Sequence, residues 1–95
     1  MMPVDWVVRR KYETRRPALD VVLQLGRPQR AVSGDWSCCV QVVHAGVEET
    51  TEALGEDSLQ ALLLGVVMAR ARLVSLQATE GLTWLGHTDL GLEIP

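Results

Sequence analysis

The chain has 95 residues, of which 47% are hydrophobic and 22% are charged, and its formal net charge is −3 at pH 7. This length corresponds to one domain, and the hydrophobic content is ample for a core. We therefore expect residues 1–95 to form a single domain, and the acidic balance argues against nucleic-acid binding as its main function.

We expect no membrane segment, secretion signal or disulfide. The longest apolar run, Ala61 to Ala69, is far shorter than the roughly 20 residues that cross a bilayer, and the first residues lack a basic-then-apolar signal pattern. Cys38 and Cys39 are adjacent, so on a strand they point to opposite faces and cannot easily bridge. The composition is rich in arginine, with lysine only at Lys11. We interpret the chain as a bacterial, cytoplasmic protein with reduced thiols.

Alternating apolar and polar side chains predict four consecutive strands in the first half of the chain. The strands cover residues 4–14, 19–25, 36–44 and 47–53. On the third strand, Trp36, Val40 and Val42 are expected in the core, with Cys38 beside them and Cys39 on the other face. The fourth strand is rich in Glu and Thr and follows a tight turn, so it is expected at an edge of the sheet.

A long helix follows the strands and has clear start and stop signals. Asp57 can cap its first turn while Gln60 reaches back in a capping box, and Gly81 can end it. Apolar residues then recur in alternating steps of three and four, which places them along one seam of the helix. This seam is the predicted core face and comprises Leu59, Leu62, Val66, Ala69, Leu73 and Leu76.

The helix carries more apolar surface than one sheet can bury. Leu64 and Met68 lie toward the side opposite the core seam, so between Ala61 and Ala69 no side of the helix is polar. Together with Val67 and Ala71, they form the predicted interface with a partner. The most economical partner is a second copy of the chain, which makes a homodimer the expected assembly.

The predicted fold class is α+β, with an antiparallel sheet of about four strands packed against one long helix in the second half of the chain. Such a sheet is roughly 19 Å wide, whereas one helix is only about 10 Å across. The apolar tail is therefore expected to cover part of the sheet and to add a short strand, and a partner can cover the remainder. The tail residues concerned are Leu82, Trp84, Leu85, Leu90, Leu92 and Ile94.

Three short motifs suggest a family. The helix opens with the sequence DSLQALLL at 57–64, the tail contains LTWLG at 82–86, and the third strand is entered through GDWSC at 34–38. In these motifs the chain resembles a group of small uncharacterised bacterial domains. The resemblance implies a common fold and no established activity, and it supplies no functional residues.

Several residues could carry chemistry, although their spacing matches no known site. A metal site could assemble from His44, His87, Asp89 and Cys38, and an enzyme pocket from His44, His87, Asp35 and Cys39. Cys39 is the better candidate for a reactive thiol because Cys38 is expected in the core. The simpler interpretation is that these residues have structural or loop roles. We therefore expect no catalytic residues, no metal and no cofactor.

Charge is distributed unevenly along the chain. Residues 1–30 hold seven basic and three acidic side chains, and residues 31–95 hold two basic and nine acidic. The basic cluster is a possible surface for nucleic acid or another anionic partner, and comprises Arg9, Arg10, Lys11, Arg15 and Arg16. The structural alternative is that the basic strand pairs with the acidic strand of Glu48, Glu49 and Glu52, within one chain or across a dimer.

The function favoured by these patterns is a non-catalytic protein-interaction or assembly module. By analogy alone, an immunity-like protein that neutralises a toxin by covering its active surface fits the small acidic domain. Nucleic-acid or acidic-partner binding, and a small enzyme or metal site, are the alternatives.

Overall fold

The fold is an antiparallel sheet with one helix on one face, which confirms the predicted α+β class. The computed structural model describes residues 4–16 and 19–92. The elements in chain order are β1 (Trp6–Tyr12), β2 (Val21–Gly26), β3 (Gln29–Arg30), β4 (Trp36–His44), β5 (Val47–Gly55) and α1 (Ser58–Glu80). The four predicted strands are present, and the two-residue β3 is the one element that periodicity does not mark, because it is too short to show alternation.

β4 is the central strand of the sheet. β5 pairs with it along all nine residues, whereas β2 and β3 pair in succession with its other side, and β1 lies beyond β2. The turn at Ala45 and Gly46 joins β4 to β5 with positive φ at both residues (53° and 78°), as a tight hairpin requires. β1 and β5 are therefore at opposite sides of the sheet. The expectation that the basic and acidic strands pair within one chain is wrong.

One face of the sheet forms the core. Directly opposite residues share a face, so the register places Leu25, Val40 and Thr51 in one row, and Leu23, Val42 and Glu49 in the next. Along each row the central side chains are buried, and the β5 side chain is exposed. The core face is thus covered over β2, β4 and the end of β5, where Ala53 and Gly55 are buried, but it is open at the start of β5, where Glu49 and Thr51 face solvent.

The helix begins and ends where the sequence predicts. The backbone N–H of Gln60 donates to Asp57 Oδ1 at 2.7 Å, and Gly81 ends the helix in the left-handed conformation (φ 67°). The side chain of Gln60 accepts from the backbone N–H of Glu56 at 2.6 Å, one residue before the capping residue that a capping box would use.

The predicted core seam of the helix is confirmed at Ala69, Leu73 and Leu76, which are buried, and is wrong at its first residue. Leu59 was expected in the core but is 62% exposed. The buried residues are Ala61, Gly65, Ala69, Leu73 and Leu76, while Leu62 and Val66 are partly buried. A Cβ added at Gly65 would lie 3.2 Å from Val40 Cγ2. The first half of the helix thus approaches the sheet through its small residues, which leaves its bulkier side chains outside the core, whereas Leu73 and Leu76 are buried in the second half.

The tail covers the side of the core face that the helix does not reach, since α1 packs mainly on β4 and β5. Leu82 and Leu90 are buried, and the phenol of Tyr12 donates to the carbonyl oxygen of Leu90 at 2.9 Å. Thr83 pairs with Glu13 by two backbone hydrogen bonds of 2.9 Å, so the tail adds an isolated bridge rather than a strand. The expectation that Leu85 helps to cover the core is wrong, because it is 75% exposed.

Trp84 and Leu92 are partly buried against the core, as expected for tail residues that cover the sheet. The last of the predicted covering residues, Ile94, lies outside the described residues.

Candidate interaction surface

The outer face of α1 is a continuous apolar surface. The predicted interface residues Leu64, Val67 and Met68 are 40%, 52% and 37% exposed. Ala71 is exposed as well, and Leu63 and Val74 flank these residues with exposures of 40% and 46%. The structure brings all four predicted interface residues together on one side of the helix. We refer to Leu63, Leu64, Val67, Met68, Ala71 and Val74 as the outer helix surface.

The spacing of this surface resembles a helix-pairing seam. Leu64, Val67, Ala71 and Val74 follow steps of three, four and three, the spacing by which one helix packs along another. Ala71 at the middle of the seam leaves room for a partner helix to approach. The outer helix surface therefore combines exposed apolar side chains with the spacing of a helix-pairing seam.

The same helix is long and apolar enough to cross a membrane, judged by its length and composition, and 28% of its most apolar window is buried. The core helix of a water-soluble protein meets the same criterion when its apolar residues pack inside. Here the small-residue side packs on the sheet while large apolar residues face outward. The helix therefore meets the criterion largely through apolar side chains that are exposed in this structure.

A groove of about 370 Å³ separates α1 from β5 beside the outer helix surface. Its lining residues are Val40, Val42, Glu49, Thr51, Met68, Ala69, Ala71 and Arg72. Most of these side chains are apolar, and the two charged ones pair with each other. The sequence did not predict this groove, because it exists only where the open end of the core face at β5 meets the flank of the helix.

An ion pair between β5 and α1 closes the rim of the groove. The guanidinium of Arg72 donates to both carboxylate oxygens of Glu49, at 2.7 and 2.6 Å. These hydrogen bonds hold the pKa of Glu49 below its usual value, and the carboxylate raises the pKa of Arg72. Since both side chains are more than a third exposed, solvent screening leaves the pair a small role in stability.

Three of the five predicted basic residues have partners inside the chain. Arg10 stacks over the ring of Trp84 at 3.8 Å and donates to the carbonyl oxygens of Leu90 and Gly91, both at 3.1 Å. Arg10 therefore fastens the tail to the sheet.

The other two engaged residues form ion pairs. Lys11 contacts Asp20 at 2.8 Å, and Arg16 contacts Glu80 at 3.3 Å. Arg9 and Arg15 are exposed, and no side-chain ion pair of either is present among the described residues. The basic cluster thus offers fewer uncommitted charges than its sequence indicates.

The residues considered for chemistry are not brought together. Asp35 precedes β4 and His44 ends it, so nine residues at about 3.3 Å each separate them. His87 is exposed in the tail and Asp89 accepts from the backbone N–H of Gly91. Among residues 4–16 and 19–92, no three His, Cys, Asp or Glu side chains are grouped to hold a metal ion.

The environment of the cysteines does not activate them. Cys38 is fully buried and lies 3.4 Å from the carbonyl oxygen of Gly26. Burial raises the pKa of both the Cys38 and Cys39 thiols, and the neighbouring Glu52 carboxylate raises that of Cys39 further. A nucleophilic cysteine requires the opposite shift.

The proximity of His44, at the end of β4, to Glu80 was not predicted from the sequence. His44 Nε2 is buried without a hydrogen-bond partner in the described part of the chain, 3.8 Å from Glu80 Oε1. Glu80 in turn contacts Arg16. These three residues are far apart in sequence and show no common spacing, so no local signal could have predicted their proximity.

One comparison confirms that the chain is a member of an uncharacterised domain family. A family model described as a domain of unknown function, DUF6968, matches residues 8–94. No curated protein matches the chain. No solved structure matches it either.

Proposed function

The chain belongs to the DUF6968 family, a domain of unknown function, and from that premise we propose that it is a non-catalytic protein-interaction module that assembles as a homodimer. The observation that carries the proposal is the outer helix surface. Leu64, Val67, Ala71 and Val74 are exposed at the spacing of a helix-pairing seam. A contiguous apolar surface of this kind is typical of protein contacts.

The energy available from this surface suits a weak dimer. Its five large side chains are 37–52% exposed. Full burial of such a side chain is worth about 1.5–3 kcal/mol, so burying their exposed parts is worth about 5 kcal/mol per copy, or about 10 kcal/mol in a symmetric contact. Association costs roughly 4–15 kcal/mol. At the lowest of these costs the net gain is about 6 kcal/mol, and we therefore expect a concentration-dependent dimer with a Kd of about 40 μM or weaker.

A two-fold arrangement in which α1 packs against α1 of a second copy fits these features. Each outer helix surface then contacts the same surface of its partner, as in most homodimers. Ala71 near the centre of the seam permits a short distance between the helices, and Leu64 and Val74 pack on either side of it. The sheet, which contributes nothing to this contact, holds each helix in place.

The test is the solution mass measured by light scattering from about 10 μM to about 1 mM, a range that extends below and above a Kd of tens of micromolar. Leu64→Glu places a carboxylate in the proposed contact, where burial of a charge is unfavourable, and should give a monomer at every concentration. Val32→Glu is the matched control, because Val32 is fully exposed in a loop, and it should dimerise like the wild type.

Circular dichroism separates lost assembly from lost folding. Leu64→Glu should keep the helical signal and the melting behaviour of the wild-type monomer. A wild-type protein that stays monomeric up to the highest concentration would rule out the homodimer. It would direct the search to a different protein partner for the outer helix surface, including the immunity-like role in which the domain covers another protein's active surface.

A further inference from the structure

The outer side of β5 is an unpaired strand edge. All nine residues of β5 pair with β4, and among the described residues no strand pairs with the other side. A strand in this position presents unused backbone N–H and carbonyl groups, which can accept an additional strand. Its length is sufficient for a segment of about eight residues to pair along it.

The groove beside this edge would allow side-chain contacts with an added strand in addition to backbone hydrogen bonds. Thr51 and Glu49 are on the core face of β5, yet both are exposed, because α1 covers only the end of the strand, at Ala53 and Gly55. An added strand would place alternate side chains on the same face. Apolar side chains at those positions would lie next to Met68 and Ala71 at the mouth of the groove.

The charge of the edge determines which strand fits. β5 carries Glu48, Glu49 and Glu52 and has no basic residue. Arg72 neutralises Glu49 alone. Pairing of β5 with β5 of another copy would bring these carboxylates together, which is unfavourable, whereas a segment with arginine or lysine would face opposite charges.

We propose that the β5 edge and the adjoining groove bind an extended basic segment of a partner protein, which adds to the sheet as a strand and places apolar residues at alternate positions toward α1. Its basic side chains project between them toward Glu48 and Glu52 on the open face of the sheet. An edge that is charged only to prevent strand pairing needs no apolar groove beside it. The groove is therefore the feature that favours binding of a partner strand over a charged edge that only prevents strand pairing.

The probe is a fluorescently labelled ten-residue peptide with alternating Arg and Val, followed by fluorescence anisotropy. We expect saturable binding that a peptide of alternating Glu and Val does not show. The same basic peptide N-methylated along its backbone should lose binding, because it retains its charge but cannot pair with the edge. Equal binding of the methylated peptide would overturn strand addition and leave general charge attraction.

Two variants locate the site. Glu52→Lys should weaken binding about fivefold, since it replaces an attractive cross-strand charge by a repulsive one. Asp35→Lys makes the same charge change at an exposed loop position and should leave the affinity unchanged. Equal effects of the two substitutions would refute the β5 edge as the site.

Self-association of the protein is the competing outcome. If Glu52→Lys lowers the oligomeric mass of the protein in light scattering, the occupant of the edge is another copy of the chain, and the proposal of a separate basic partner is wrong. The homodimer through the outer helix surface is tested independently by Leu64→Glu, because Leu64 does not line the groove.

Discussion

At Gly55 the end of β5 lies directly against the first turn of α1, and Gly55→Ala tests this contact. A Cβ at Gly55 would lie 2.5 Å from the backbone nitrogen of Ala61 and 2.9 Å from its Cα. Comfortable separations between nonbonded heavy atoms are about 3.5–4.0 Å. The substitution thus requires β5 and the first turn of α1 to separate by about 1 Å. Gly55 does not have a positive φ, so backbone strain does not contribute.

The expected loss of stability is large for a single methyl group. Overpacking typically costs about 1–3 kcal/mol, and sometimes more. Because both groups that must move are backbone, we expect a loss of about 3 kcal/mol. A domain of this size has a free energy of unfolding of about 5–14 kcal/mol. At roughly 4–8 °C per kcal/mol, the melting temperature should fall by about 12–24 °C.

Gly65→Ala is the matched control, because it adds the same methyl group on the helix side of the contact between α1 and the sheet. Its Cβ would lie 3.2 Å from Val40 Cγ2 and 3.3 Å from Cys38 Sγ, which are side-chain atoms that can adjust. Alanine also favours a helix interior over glycine by about 1 kcal/mol. We expect its stability within about 1 kcal/mol of the wild type.

Urea denaturation followed by circular dichroism measures both variants. If Gly55→Ala is as stable as the wild type, or if Gly65→Ala is the more damaging change, the close approach of β5 to α1 is not what positions the helix. The explanation given for its exposed outer face would then fail as well.

Three further predictions concern the titrating groups and the basic cluster. Because burial raises the pKa of Cys38, the folded protein keeps the thiol proton at a pH where the unfolded chain has lost it. The free energy of unfolding should therefore fall as the pH rises above about 8.5, and Cys38→Ala should reduce this dependence on pH. Cys39, which is less buried than Cys38, should react first with a thiol reagent. In NMR titrations, Arg72→Gln should raise the lowered pKa of Glu49, and an unchanged value would mean that the ion pair is absent in solution. Since three of the five basic residues have internal partners, we expect no retention on DNA at about 0.15 M salt; retention that Arg9→Ala abolishes would instead support the nucleic-acid alternative.

The sequence predicts the strands and the helix boundaries because their signals are local. Alternation from Val21 to Leu25 defines which face of β2 is buried. The side chain of Asp57 caps the first turn of the helix, and the left-handed conformation of Gly81 ends it. The exposed side of α1 was also predictable, since a helix without a polar face leaves part of its apolar surface uncovered when it packs on one sheet.

The rotation of the helix was not predictable from the apolar pattern. Counting hydrophobic residues favours Leu59 for the core over Ala61 and Gly65, whereas the structure buries the small residues because they allow a shorter distance to the sheet. The groove depends on this rotation. So does the contact of Arg72 with Glu49, 23 residues away in sequence, for which the sequence provides no spacing rule.

The length of α1 makes membrane insertion the main competitor of the dimer, and the packing of the helix argues against it. Its 23 residues span about 35 Å, enough for a hydrocarbon core of about 30 Å. However, insertion would remove Ala61, Gly65 and Ala69 from the sheet and expose Val40 and Val42 to water. We therefore expect the protein not to float with phosphatidylcholine vesicles in a density gradient, while its self-association in their absence remains sensitive to Leu64→Glu. Flotation that Val32→Glu preserves and Leu64→Glu abolishes would show that the outer helix surface binds lipid rather than a second copy of the chain.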